Sequence, residues 1–97
     1  MKTTQEIIRL LKDFKAAHAG QYGILRMGIF GSVAREEQTE DSDVDIYYEG
    51  ELSGLFALSH LKHELENLLG CKVDIVRLRD RMNGLLRKRI EREGVYV

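Results

Sequence analysis

Three aspartates and one Gly-Ser pair are the residues whose types and spacing could do chemistry in this chain. Asp43-Val44-Asp45-Ile46 sets two carboxylates on either side of one apolar residue. Side chains alternate between the two faces of a strand, so Asp43 and Asp45 project together while Val44 and Ile46 turn to the core. Two carboxylates on one face repel each other and lose hydration when partly buried. A divalent cation removes both costs. Mg²⁺ suits the pattern, because it takes one or two carboxylates and fills its other positions with phosphate oxygens and water. Upstream, Gly31-Ser32 closes an apolar run and opens a polar one. Glycine lets a phosphate approach the backbone, and N–H groups at the start of a following helix bind such an anion. Asp74 interrupts a second apolar run, Val73-Asp74-Ile75-Val76. A charge there is costly unless paired or ligated. An ion pair is its ordinary explanation, and Arg26, Arg77 and Arg79 are available for one.

Helices and strands alternate around these groups. Thr3 and Glu6 have capping-box spacing ahead of Ile7, Leu10 or Leu11, and Phe14, which predicts a helix over about 4–18 with Gly20 as its stop. A strand over 24–30 follows, in which Leu25, Met27 and Ile29 share one face and Gly28 allows close approach of a backbone or ligand. One or two helical turns over 33–37 place Ser32 at a helix N-terminus. The Asp-x-Asp strand covers 43–48. Ser53 can cap a helix whose stripe is Leu55, Leu58, Leu61, Leu65, Leu68 and Leu69, ended by Gly70. A strand over 72–78 carries Asp74. Asp80 can cap a last helix to about Glu93, with Leu85, Leu86 and Ile90 inward, Gly94 as stop, and Val95-Tyr96-Val97 as an edge strand. The expected class is α/β or α+β, a small mixed sheet backed by helices in a single domain over residues 1–97.

The pattern Gly31-Ser32, ten residues, then Asp43-x-Asp45 resembles the signature of the nucleotidyltransferase superfamily that includes polymerase beta. Small size, with Gly31-Ser32-Val33-Ala34-Arg35 and Ser42-Asp43-Val44-Asp45-Ile46, is similar to its minimal branch, the MNT proteins, whose members are commonly antitoxins paired with HEPN-domain toxins. The resemblance implies Mg²⁺-dependent transfer of AMP from ATP to a tyrosine hydroxyl of a HEPN ribonuclease toxin. It casts Asp43 and Asp45 as metal ligands, Asp74 as general base or further metal ligand, and Gly31, Ser32 and Arg35 as the phosphate-binding set. Stoichiometric neutralisation without catalysis, and transfer to a small molecule or RNA end, are the rival expectations. The last is disfavoured by a length that leaves no room for an acceptor domain. Family members often carry glycine after the Ala-Arg pair, where this chain has Glu36. If that position requires a left-handed backbone, Glu36 shifts the loop.

Composition sets the remaining bounds. Hydrophobic residues make up 43% and charged ones 32%, an ordinary globular balance, and the net charge of −1 provides no global pull toward nucleic acid or membrane. Charge is uneven along the chain: every charged residue over 36–51 is acidic, whereas seven Lys or Arg fall over 77–92. With no aromatic residue in that basic stretch to stack bases, a protein partner is expected over single-stranded nucleic acid, whether in a homo- or a hetero-oligomer. Cys71 alone forms no intrachain disulfide and reads as a small buried residue. The lack of a signal peptide or spanning run leads to the expectation of a cytoplasmic protein. His60 and His63 could form a metal pair but lack a third ligand, and read as surface residues. His18 suits a helix C-terminus. Of Tyr47 and Tyr48, one is expected to pack and the other is available to stack on a base.

Overall fold

The structure, a computed structural model, describes all residues, Met1–Val97. Its elements run α1 (Thr4–Tyr22), β1 (Ile24–Phe30), α2 (Gly31–Ala34), β2 (Val44–Gly50), α3 (Ala57–Leu69), β3 (Val73–Arg77), α4 (Gly84–Glu93) and β4 (Val95–Tyr96). The four strands form one mixed sheet in the order β3-β2-β1-β4. β1 pairs antiparallel with β2 and β4, and β2 pairs parallel with β3 across the α3 crossover. This is the small mixed sheet backed by helices expected from the sequence.

The capping box forms as read: Thr3 Oγ1 accepts from the Glu6 N–H, and Glu6 reaches back to the Thr3 N–H. α1 nevertheless runs past Gly20, through another turn to a left-handed Gly23. Gly20 is tolerated inside because burying Tyr22 favours that extra turn. His18 consequently lies a turn before the helix end, with its ring 5.0 Å from Phe14.

Register assigns each strand residue to a face. Met27 opposes Tyr48 and Ile29 opposes Ile46, while Val44 and Ile46 lie beside Val73 and Ile75. These residues meet Ile7, Leu11 and Phe14 of α1 and Leu61, Leu65 and Leu69 of α3 in the main core. On the other face, Phe30, Tyr47 and Ile90 form a small second core against α4. Gly28 belongs to that face, where a Cβ would overlap the Val95 carbonyl oxygen and stand 2.6 Å from the Tyr47 ring, so the close approach is by β4 and Tyr47.

The structure departs from the expected pattern in several places. A bulge between Ile24 and Arg26 shifts the phase of β1, so Ile24 is buried and Leu25 is 76% exposed. α3 begins at Ala57 behind an uncapped Phe56, and the Ser53 N–H instead bonds the Tyr22 carbonyl. Leu55 and Leu58 therefore precede or flank the packed stripe and are exposed, and Ala57 takes the inward position. α4 is capped by Asn83, whose side chain accepts from the Leu85 and Leu86 N–H groups. Asp80 pairs with Arg87 at 3.3 Å instead, and Leu85 is 81% exposed. Cys71 is half-buried and lies against the main core.

Candidate active site

Two packing decisions create the site. First, the parallel register places Asp45 beside Asp74, and Phe30 beside Asp45 on the other flank, all on the α4 face. Asp43 lies one residue before β2, two positions from Asp45 and on the same face, while Val44 between them is fully buried. Second, β1 ends in a tight turn at Gly31 (φ 74°), leading directly into α2. A Cβ on Gly31 would overlap Asp45 Oδ2, so only glycine allows this turn to close over the Asp45 carboxylate. Ser32 follows in the first turn of α2, where backbone N–H groups have no helical acceptor. The turn is anchored from α1 by the buried Thr4 hydroxyl, which donates to the Val33 carbonyl at 2.6 Å.

The loop after α2 answers the question raised by Glu36. Its φ is +60°, the one left-handed non-glycine residue in the chain. The position has the conformation glycine favours, and with Glu36 in it the Glu37 N–H closes back onto the Ser32 carbonyl at 2.8 Å.

None of the three aspartates forms an ion pair, so Arg26, Arg77 and Arg79 do not account for Asp74. Burial above all, then the negative charge of Asp74 and of Asp43, pushes the Asp45 carboxyl above its ordinary value, against the pull of Arg89 and Arg35. The chain thus holds a half-buried carboxylate beside two like charges, which Arg89 and Arg35 offset only in part. A bound cation would supply the remainder. The donor set fits Mg²⁺, being hard oxygen throughout. Still, no three acidic, histidine or cysteine groups are drawn tightly enough together to hold an ion by themselves. This suits Mg²⁺, which completes its shell with phosphate oxygens and water.

Sequence reasoning missed two residues here, Glu93 and Arg89 of α4. Glu93 Oε2 receives Arg35 Nη1 at 2.9 Å and Arg89 Nε at 3.3 Å. Its carboxyl is held below the ordinary value, burial opposing and the charges of Arg35 and Arg89 prevailing, with the Gly31 N–H adding to them. Arg35 also meets Glu37 at 3.1 Å. Glu-x3-Arg spacing reversed, Arg89 then Glu93, was the only local signal, and it is common on any exposed helix face.

Other candidates lie away from this constellation. Tyr47 and Tyr48 are both buried, so neither ring is free to stack on a base. His60 pairs with Glu64 at 3.0 Å and His63 meets Asn67, with no third ligand. A cleft of about 760 Å³ lies between α1 and α3, among His18, Tyr22, Phe56, His60, His63 and Glu64. None of the aspartates lines it. At its wall the Tyr22 hydroxyl donates to Glu64 at 2.6 Å, and burial, with Glu64 beside it, pushes the Tyr22 pKa up to about 12.

A family model described as polymerase beta nucleotidyltransferase matches residues 5–97. The chain belongs to that family. Its relatives include the protein adenylyltransferase MntA of Thermococcus cleftensis, 38% identical over all of this chain and 98% of the relative. MJ1217 of Methanocaldococcus jannaschii, 40% identical with both chains fully covered, bears a provisional protein adenylyltransferase name. Among solved structures, one provisionally described as a minimal nucleotidyltransferase superposes with a TM-score of 0.78 at 35% identity, covering 97% of this chain and 95% of its own. A toxin–antitoxin crystal structure with AMP-PNP superposes at 0.69 and 25% identity, covering 98% and 72%. In this nucleotidyltransferase, then, the expected fold and enzyme class both hold. No helix of the chain is long and apolar enough to cross a membrane.

Proposed function

We propose that this nucleotidyltransferase uses Mg²⁺ to transfer AMP from ATP to a tyrosine hydroxyl of a HEPN ribonuclease toxin in the cytoplasm, silencing it as its antitoxin. The observation that carries the reading is the register that sets Asp45 beside Asp74, with Asp43 on the same face, directly under the Gly31-Ser32 turn. Likeness to the adenylyltransferase MntA and to a toxin–antitoxin complex holding an ATP analogue supports the nucleotide and the partner.

The acceptor oxygen attacks the α-phosphorus, the new P–O bond forms as the bond to the β-phosphate breaks, and pyrophosphate leaves. Asp43 and Asp45 would hold Mg²⁺, with Asp74 next to them as the third carboxylate; bound there, the ion would neutralise phosphate charge and acidify the attacking hydroxyl. The N–H groups of the Gly31-Ser32 turn, the Ser32 hydroxyl and Arg35 hold the outer phosphates, which fixes the leaving group in line. Asp74, unpaired and adjacent to Asp45, is the group placed to accept the hydroxyl proton.

The test is label transfer. The chain, its cognate toxin and ATP labelled at the α-phosphate are incubated with and without Mg²⁺, and the toxin is mapped by mass spectrometry. Label on a toxin tyrosine, lost in Asp43→Ala/Asp45→Ala together with neutralisation, is the expected result. Neutralisation that survives the double variant identifies a stoichiometric binder; label transferred in excess chelator removes the metal from the mechanism.

A further inference from the structure

We infer that Arg89, steered by Glu93, is a further binding residue for the nucleotide's polyphosphate and forms a two-arginine clamp with Arg35 over the Gly31 turn; this rests on the nucleotidyltransferase reading above. Three aspartates carry the same sign as a triphosphate, so the anion settles beside them only where fixed cations offset the repulsion. Arg35 is one such cation. Arg89 is the other, and it arrives from the opposite end of the chain.

The geometry of Arg89 differs from that of every other cation on α4 and the turn before it. Its Nη2 lies 3.5 Å from the point a Gly31 Cβ would occupy, and Asp45 Oδ2 sits against that same point. Its guanidinium carbon stands 5.7 Å from the Phe30 ring centroid, and its Nε meets Glu93 Oε2. A guanidinium carries five N–H donors. Here the Nε is engaged with Glu93, and Nη2 is directed at the Asp45–Gly31 corner. Arg35 reaches the same Glu93 oxygen from α2's side, so one carboxylate aligns both guanidiniums. Glu93 is itself only 16% exposed and therefore well fixed. By contrast, Arg87 is occupied by Asp80 and Glu91, Lys88 is exposed, and Arg92, 78% exposed, meets only the other Glu93 oxygen, Oε1, at 3.9 Å. The cations of α4 are thus divided, with Arg89 turned toward the site and Arg87, Lys88 and Arg92 away from the Gly31 corner.

Calorimetric titration of the full chain with ATP and with AMP, Mg²⁺ present, tests the assignment. Arg89→Gln is expected to weaken ATP by about tenfold or more, the scale of a lost charge-assisted hydrogen bond, and AMP much less. Arg89→Lys restores part of the loss, and Lys88→Gln, removing an equal charge from the same helix, changes neither ligand. Glu93→Gln is expected to lower the ATP-to-AMP affinity ratio in the same direction, a readout that a merely structural residue does not move. If Arg89→Gln fails to fold, Arg89→Lys carries the comparison, with a reduced ATP-to-AMP ratio expected. Equal losses for ATP and AMP, or no loss, overturn the role of Arg89 and leave the nucleotidyltransferase reading standing. A wild-type chain that binds neither nucleotide overturns both.

Discussion

On the α1–α3 side of the sheet, Ile29, Ile46, Leu65 and Val73 are sealed from water and surrounded by apolar side chains from two helices. On the α4 side, the neighbouring residues of the same strands are Phe30, Asp45 and Asp74, and only a short helix covers part of them. The strands present apolar side chains to one face and charge to the other, with a single residue's shift between the two. Stability is concentrated where every position is apolar. The proposed chemistry falls where α4 covers the sheet only in part, so that the carboxylates keep access to water and ligand. A substitution on one face should therefore leave the property of the other nearly intact, and this separation can be tested from either side.

The largest effect expected is on transfer. Asp45→Asn should reduce AMP transfer by about a thousandfold or more, since it removes the carboxylate charge proposed to hold the metal without changing shape. The same variant should melt higher than wild type in metal-free buffer. Asp45 is raised above its ordinary pKa, so the folded chain binds more protons than the unfolded one in the window above the unfolded value. Stability thus falls as pH rises through that window. Asparagine carries no charge to penalise, so the variant's melting temperature should rise and lose this dependence on pH. A melting point that drops instead would mean the carboxylate is structurally compensated, and the contrast between faces would fail.

Leu65→Ala makes the complementary perturbation. Leu65 is wholly buried at the centre of the α3 contact, and its truncation should cost about 2–5 kcal/mol of stability. Chemical denaturation measures this directly. At temperatures where the variant stays folded, nucleotide affinity should match wild type. Loss of affinity in the folded variant would show that the α1–α3 core sets the site's geometry as well as its stability.

Much of this contrast was legible in the sequence, and what was not has a physical explanation. Asp43, Asp45 and Asp74 stand out because each is a charge in an apolar alternation, a local pattern that strand geometry converts directly into a shared face. Element order followed for the same reason. Leu25, Leu55, Leu58 and Leu85 were misplaced because a leucine's burial depends on phase and on where an element begins. A bulge in β1 and late starts for α3 and α4 changed both. Arg89 and Glu93 were invisible for a different reason: their partners Asp45 and Arg35 lie more than forty residues away, and an arginine in a basic run looks like solvated surface. Reversing both Arg87 and Arg89 to Glu, the change the basic stretch suggests for weakening a protein partner, is confounded by the structure. Arg79, Arg81 and Lys88 are the exposed positions suited to that purpose.

An intermediate effect is expected for Asp74→Asn, about a hundredfold in transfer rate with ATP affinity nearly unchanged if the residue takes the proton. A parallel fall in Mg²⁺-dependent ATP binding would instead make it chiefly a metal ligand. Single-turnover rates combined with titration distinguish the two. Either outcome keeps Asp74 on the chemical face, whereas unchanged activity would return it to the status of a surface charge.

The smallest effect concerns Glu36, which borders the site without belonging to either face's core. Its φ of +60° places a Cβ where a left-handed backbone crowds it, at a cost of about 1 kcal/mol. Glu36→Gly removes that crowding but also frees the unfolded chain, which costs about 0.4–1 kcal/mol in the opposite sense. The two nearly offset, so the glycine variant should melt within a few degrees of wild type, on the higher side if crowding dominates. Glu36→Ala separates the contributions, because alanine keeps the Cβ and discards only the exposed carboxylate. The expected order is glycine at or above wild type, with alanine level with it. ATP affinity should stay unchanged in all three, since the Glu37 N–H already closes onto Ser32 with glutamate in place. A glycine variant that binds ATP several-fold more tightly would show that Glu36 holds the phosphate turn away from its best geometry, and that strain next to the chemical face is transmitted into it.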